Sequence, residues 1–285
     1  MPISENRQRI LDKIEEYEKK GLFAVDVEDD PPTAPLDPDT VDYTQKKLST
    51  RIGSYFANRA GRAHFEKMLR RGDVVIKEVR GKENMEKVRE GGALVTCNHF
   101  NAFDNYAVYR TLIPILGKKM LYKVIREGNY TSFGGFYGYL FRHCNTLPLC
   151  SSIKGIKALM NAMSVLWGRG EKILIYPEQA MWYNYRKPRP LKTGAFRFAV
   201  KNNVPVLPVF ITLEDSDKLD ADGLPIQLYT VHYLPPIYPD RSLSIREDSE
   251  RMCRENYALW VKTYEDFYGK KLEYTTDGEV DGCSI

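Results

Sequence analysis

The sequence has no uncharged apolar run approaching the ~20 residues that a membrane-spanning helix requires. Its longest apolar stretches, 132–141 and 204–213, are short, the first rich in glycine and the second carrying two prolines. A spanning segment is not expected, though contact with a membrane surface is left open. The first residues, MPISENRQRILDK, have no apolar centre and do not read as a secretory signal. Cysteine is scarce: five residues, at 97, 144, 150, 253 and 283, form no C-x-x-C pair and no spaced ladder. An odd count without a signal points to a reducing compartment, so the expected location is the cytoplasm. The spacings of zinc ligands are also missing, because Cys97-x-His99 and His143-Cys144 fit none of them, and no metal is expected. A G-x-S-x-G elbow is lacking too, which argues against a serine lipase or thioesterase.

What is present suits a globular enzyme. The 285 residues suffice for one large α/β domain and a smaller appendage, and 43% hydrophobic residues supply a core. The net charge of +4 hides an asymmetry. Residues 1–42 carry twelve acids against five bases, whereas 43–71 carry eight bases against one acid. A polar helix over 5–20 is followed by an acidic linker in which Pro31, Pro32, Pro35 and Pro38 forbid a continuing helix. The basic segment then repeats Leu48, Ile52, Tyr55, Phe56, Ala60 and Ala63 at helical spacing, with Phe65, Met68 and Leu69 near its end. Such a helix either lies on an anionic membrane surface or packs on the domain with its bases solvated. The bases follow no nucleic-acid-binding motif, and nucleic acid is not expected as a partner.

From Asp73 onward strands and helices alternate. DVVIKEV, GGALVTC, KKMLYKV, NTLPL, EKILIYP, VPVLPVFITL and IQLYTVHYLPPI read as strands, with helical patterns over 104–111, 152–168, 194–201 and 246–268. The expected fold class is α/β, a mostly parallel central sheet flanked by helices with an N-terminal helical appendage. The expected division is an N-terminal segment 1–72, a catalytic α/β domain 73–270, and a loose acidic tail 271–285.

In sheets of this kind chemistry gathers where strands end and helices begin. In ALVTCNHFNAFDNYAVYR an apolar strand ends at Cys97 and a helix starts near Phe103, leaving His99 and Asp104 five residues apart across the turn. A tight loop would set the carboxylate on one imidazole nitrogen and leave the other free as a general base. The competing reading has Asp104 serving only the helix N-terminus. EKILIYPEQ places Glu178 at the same sheet edge. An acid-free stretch follows, with Arg186, Lys187, Arg189, Lys192, Arg197 and Lys201, and Gly194 opens a helix just after Lys192, which suits an anion.

In order and spacing these pieces resemble the glycerolipid acyltransferases of the 1-acylglycerol-3-phosphate acyltransferase type. The first motif, NHxxxxD, is matched in full by Asn98 through Asp104. The third, often FPEGTR, is similar to Tyr176-Pro177-Glu178-Gln179-Ala180-Met181, and the lysine-glycine element to Lys192-Thr193-Gly194. The fourth, V-P-V-x-P-V, looks like residues 204–209. The sequence departs where the second motif usually ends in a phosphate-binding arginine, offering Cys150 and Ser151, and where glycine, threonine and arginine become Gln179, Ala180 and Met181.

The resemblance implies an acyltransferase of phospholipid biosynthesis. It would move a fatty acyl group from acyl-CoA or acyl-carrier protein to a hydroxyl of a lysophospholipid-like or other lipid acceptor, with no further cofactor. His99 would be the base and Asp104 its orienting partner. Asn98, Glu178, Lys192, Gly194, Lys123 and Arg142 would hold substrate, and the enzyme would sit peripherally on the cytoplasmic face of a membrane. The alternative from another class is a catalytically silent acyl-lipid binding protein of the same fold.

Overall fold

The computed structural model describes residues 3–29 and 31–284. Two helices come first, α1 (Glu5–Lys19), capped by the Ser4 side chain, and α2 (Leu48–Arg71), ended by Gly72 in the left-handed conformation. The α/β part then runs β1 (Val75–Arg80), α3 (Lys82–Glu86), β2 (Ala93–Thr96), α4 (Asp104–Leu116), β3 (Leu121–Arg126), α5 (Glu127–Thr131) and α6 (Gly135–His143). It continues through β4 (Thr146–Leu149), α7 (Ile153–Gly168), β5 (Lys172–Ile175), β6 (Leu191–Lys192), α8 (Gly194–Asn202), β7 (Val206–Leu219) and β8 (Pro225–Tyr233). The long α9 (Ile245–Tyr268) and the short β9 (Cys283–Ser284) close the chain.

Seven strands form one sheet in the order β1-β8-β7-β2-β5-β3-β4. The block β7-β2-β5-β3-β4 is parallel, while β8 runs antiparallel to β7 and β1 parallel to β8. The sheet is thus mostly parallel and covered on both faces. That is why β2 and the first eight residues of β7 are buried without alternation. One core packs Leu94, Ile173 and Phe210 against Leu159, Met163, Phe196 and Trp260; the other packs Val95, Leu174 and Leu207 against Ala107, Val108 and Leu112. No described helix is long and apolar enough to cross a membrane.

Three elements depart from the sequence reading. The glycine-rich stretch after β3 forms α5 and α6, where no helix was expected, because Gly135 takes a positive φ at the start and the apolar residues then fall against α2. Helix α2 buries small residues, Ser54, Ala57 and Gly61, and the Leu140 side chain lies against Gly61. The large apolar residues of its first half point outward instead, Leu48 being 68% exposed, Ile52 50%, Tyr55 63% and Phe56 57%, while Phe65, Met68 and Leu69 near its end pack inward.

The acidic tail is not loose. Its end pairs with β6, where Leu191 N–H donates to the Gly282 carbonyl, and Cys283 is bonded to Cys253 of α9. The expectation of cysteines without a disulfide is corrected with it. The partners lie 30 residues apart, and spacing carries no trace of a meeting made by the fold. Closing such a loop restricts the unfolded chain. Cys283→Ser should lower the unfolding free energy by about 3 kcal/mol in non-reducing buffer. Wild-type protein unfolded with reductant should show the same loss by chemical denaturation.

Candidate active site

The turn between β2 and α4 is organised by one carboxylate. Asp104, fully buried, opens α4 and turns its side chain back over the loop. Its Oδ2 accepts hydrogen bonds from the Phe100 N–H at 3.1 Å and the Asn101 N–H at 3.2 Å, and lies 2.8 Å from His99 Nδ1. Asp104 therefore does both things the sequence left open, tying the helix start and engaging the imidazole. Its Oδ1 accepts from the Tyr176 hydroxyl at 2.5 Å, so the buried charge is met on both oxygens.

The backbone of His99 is held as firmly as its ring. Its N–H donates to Glu178 Oε2 at 2.9 Å, and its carbonyl accepts from the Trp182 N–H and from Arg189 Nη2, each at 3.1 Å. Glu178 and Arg189 form a buried ion pair at 2.7 Å, their side chains 2% and 1% exposed. Glu178 Oε1 takes the Arg189 N–H, and the guanidinium also donates to the carbonyls of Phe23 and Ala180. Phe23 packs with Trp182, whose indole N–H donates to the Val25 carbonyl, so the N-terminal segment is built into this wall.

Around the open side of His99 lies a cavity of about 1680 Å³ at the carboxyl edge of the sheet. It extends between α2, α6 and β3, past Gly61, Phe65, Lys123 and Leu140. It also reaches the side of α7 and α8, past Leu159, Ala195 and Phe198. Polar groups near the histidine are largely neutral, with Asn101, Gln179, Tyr183 and Asn184 in the wall. Gln179 stands where the resembling motif has glycine and keeps a glycine-like φ of 68°. Burial lowers the Lys123 ammonium below its usual value, and no carboxylate pairs with it among the described residues.

The expected substrate-binding residues separate into two groups. Lys123, Lys192 and Gly194 line the cavity. Asn98, Glu178 and Arg142 do not, which corrects their expected role. Asn98 is buried and exchanges two hydrogen bonds with the backbone of Ile211, tying the turn after β2 to the middle of β7. Glu178 has its oxygens taken up by His99 and Arg189. Arg142 donates to the carbonyls of Tyr130 and Phe133, closing the turn between α5 and α6. Two residues that sequence reasoning passed over complete the turn. Tyr176 ends an apolar strand and reads as core; Arg189 hides in a basic run and reads as solvated. The only available signal for Arg189 was an acid shortly before it with no other obvious partner.

A carboxylate-held imidazole open to a large, mostly apolar cavity on an α/β sheet defines a class, enzymes that activate a hydroxyl beside a lipid-like substrate. The family model described as Acyltransferase matches residues 77–212. Residues 77–212 thus carry an acyltransferase domain of that family, and the chain is an acyltransferase. Among solved structures it is similar to the 1-acyl-sn-glycerophosphate (LPA) acyltransferase PlsC from Thermotoga maritima, at 18% identity and a TM-score of 0.50, over 79% of this chain and 81% of that one. That likeness speaks to the fold. No curated protein matches the chain significantly.

Breaking the buried pair from one side leaves a charge without a partner, a loss of about 3–5 kcal/mol. Arg189→Met should show it in chemical denaturation, whereas Glu178→Gln with Arg189→Met should recover part of the stability.

Proposed function

We propose that this acyltransferase carries a fatty acyl group from acyl-CoA or acyl-carrier protein to a hydroxyl of a lysophospholipid-like acceptor, with His99 as general base. The observation that carries the reading is the 2.8 Å contact of His99 Nδ1 with Asp104 while the histidine borders the cavity. With Nδ1–H engaged by the carboxylate, Nε2 is the basic nitrogen. It takes the proton of the acceptor hydroxyl as the oxygen attacks the thioester carbonyl. The C–S bond then breaks, and the imidazolium returns the proton to the leaving thiolate. General-base assistance of this kind contributes about 10²–10⁴-fold.

A lipid substrate is supported by the cavity's aromatic and aliphatic walls, among them Phe65, Phe103, Leu121, Leu140, Phe141 and Phe198, with charged residues lining it as well. The similar PlsC acts on lysophosphatidic acid, as its name states, and a phosphate-bearing headgroup is a candidate here as well. Lys123, a buried cation of the cavity wall, is placed to meet it, in place of the arginine missing at Cys150 and Ser151. The start of α8 at Gly194, beside Lys192, suits the phosphates of the donor. We further propose peripheral attachment to the cytoplasmic face of a membrane through α2. Its exposed Leu48, Ile52, Tyr55 and Phe56 are flanked by Lys46, Lys47, Arg51, Arg59 and Arg62, an arrangement that anionic lipid would cover.

His99→Ala should reduce thioester consumption and acyl-lipid formation at least ~100-fold, with an unchanged circular dichroism spectrum. Turnover close to wild type would refute the role of the histidine. Mass spectrometry of lipids after incubation with acyl-CoA and a membrane extract identifies the acceptor as the species gaining an acyl mass. Replacing Leu48, Ile52 and Phe56 by serine should abolish flotation with anionic vesicles, and undiminished flotation would remove α2 as the contact.

A further inference from the structure

We infer that Tyr176 is a positioning residue for the general base, the third member of a Tyr176–Asp104–His99 chain; this rests on His99 acting as proposed above. The tyrosine is clamped at both ends. Its ring stacks on the imidazole, with centroids 3.8 Å apart and planes 15° from parallel. Its hydroxyl donates to Asp104 Oδ1 at 2.5 Å, the oxygen that does not face the histidine. Pro177 follows directly and restricts the backbone of Tyr176 to extended conformations. In the resembling motif a phenylalanine often stands here, and it could supply the stacking alone. The hydroxyl is what this chain adds.

Its effect follows from how the other groups around Asp104 are arranged. Cys97 directly follows β2 and Tyr229 comes from β8, while Glu178 and Arg189, paired with each other, hold the two peptide groups of His99. Burial, reinforced by the charge of Asp104, keeps the protons on Tyr176, Cys97 and Tyr229. Of these groups, Asp104 is thus the anion that touches the imidazole. A hydroxyl on Oδ1 draws carboxylate charge away from Oδ2 and so limits how strongly the imidazolium is stabilised. The imidazolium formed during transfer is then held less tightly and yields its proton to the leaving thiolate. No proton leaves Tyr176 at any stage.

The sign of the test is fixed by this. Without the hydroxyl the carboxylate holds the imidazolium more tightly, the His99 pKa rises, and the acid limb of kcat/KM moves to higher pH. For Tyr176→Phe, which keeps the ring, the expected result is a limb displaced upward by about half a pH unit or more. With it should come a kcat about 5-fold lower, and KM for both substrates should stay within about twofold, on the same scale. Histidine-labelled NMR of the resting protein should show the His99 titration displaced in the same direction, with the melting curve confirming a folded variant. Tyr176→Leu, which removes the stacking too, should lower kcat further. An acid limb and a His99 titration that coincide with wild type would overturn the inference, whatever happens to kcat, because loss of packing alone does not change the basicity of the ring. If the wild type turned over no thioester with any acceptor while the titration still moved, the functional reading would fail and the coupling of Tyr176 to His99 would stand.

Discussion

The structure depends on a buried negative charge being fully satisfied. Asp104 lies at the sheet edge with no access to solvent, and an isolated carboxylate there would be costly. It is tolerated because two backbone N–H groups, one imidazole and one phenol converge on it. The same contacts that satisfy the charge shape the turn from Asn98 to Phe103 and aim the histidine. Local folding and the setting of the imidazole are one set of hydrogen bonds, so the geometry of His99 is as stable as the helix start it belongs to.

A second buried charge extends this order outward. The Glu178–Arg189 pair secures the peptide groups of His99 and reaches the carbonyls of Phe23 and Ala180. Through it the N-terminal segment, the loop after β5 and the turn after β2 share one centre. A buried ion pair contributes little net stability compared with apolar packing, but it demands one geometry. Here that demand falls on the residues around His99. The cavity beyond is built differently, largely from apolar side chains on both sides of the sheet edge, with Lys123 a buried cation in its wall.

Helix α2 shows the same economy of surfaces. Small residues let it approach α6 closely, and the bulky apolar side chains of its first half, Leu48, Ile52, Tyr55 and Phe56, are turned away from the protein. Helical periodicity alone could not tell which side would be buried. It reports that apolar residues share a face, and a face of glycine, alanine and serine opposite to it is equally periodic.

Much of the architecture was legible before any coordinates, because continuous apolar runs separated by helical patterns admit few arrangements other than a parallel sheet covered on both faces. The HxxxxD turn was legible for a local reason. His99 and Asp104 are close in sequence, and a short loop between strand and helix leaves their side chains little choice but to meet. The roles of Asn98, Glu178, Arg142 and Arg189 were not, since each is decided by a partner far away in the chain: Ile211, His99 with Arg189, Tyr130 with Phe133, and Phe23. The same holds for Cys253 with Cys283, and for the phenol of Tyr176 on Asp104. Sequence by itself determined the fold class and the meeting of His99 with Asp104, both products of short-range pattern. Tertiary structure decided which polar groups face the cavity and which are consumed in holding it, because burial and long-range pairing exist only once distant segments are packed together.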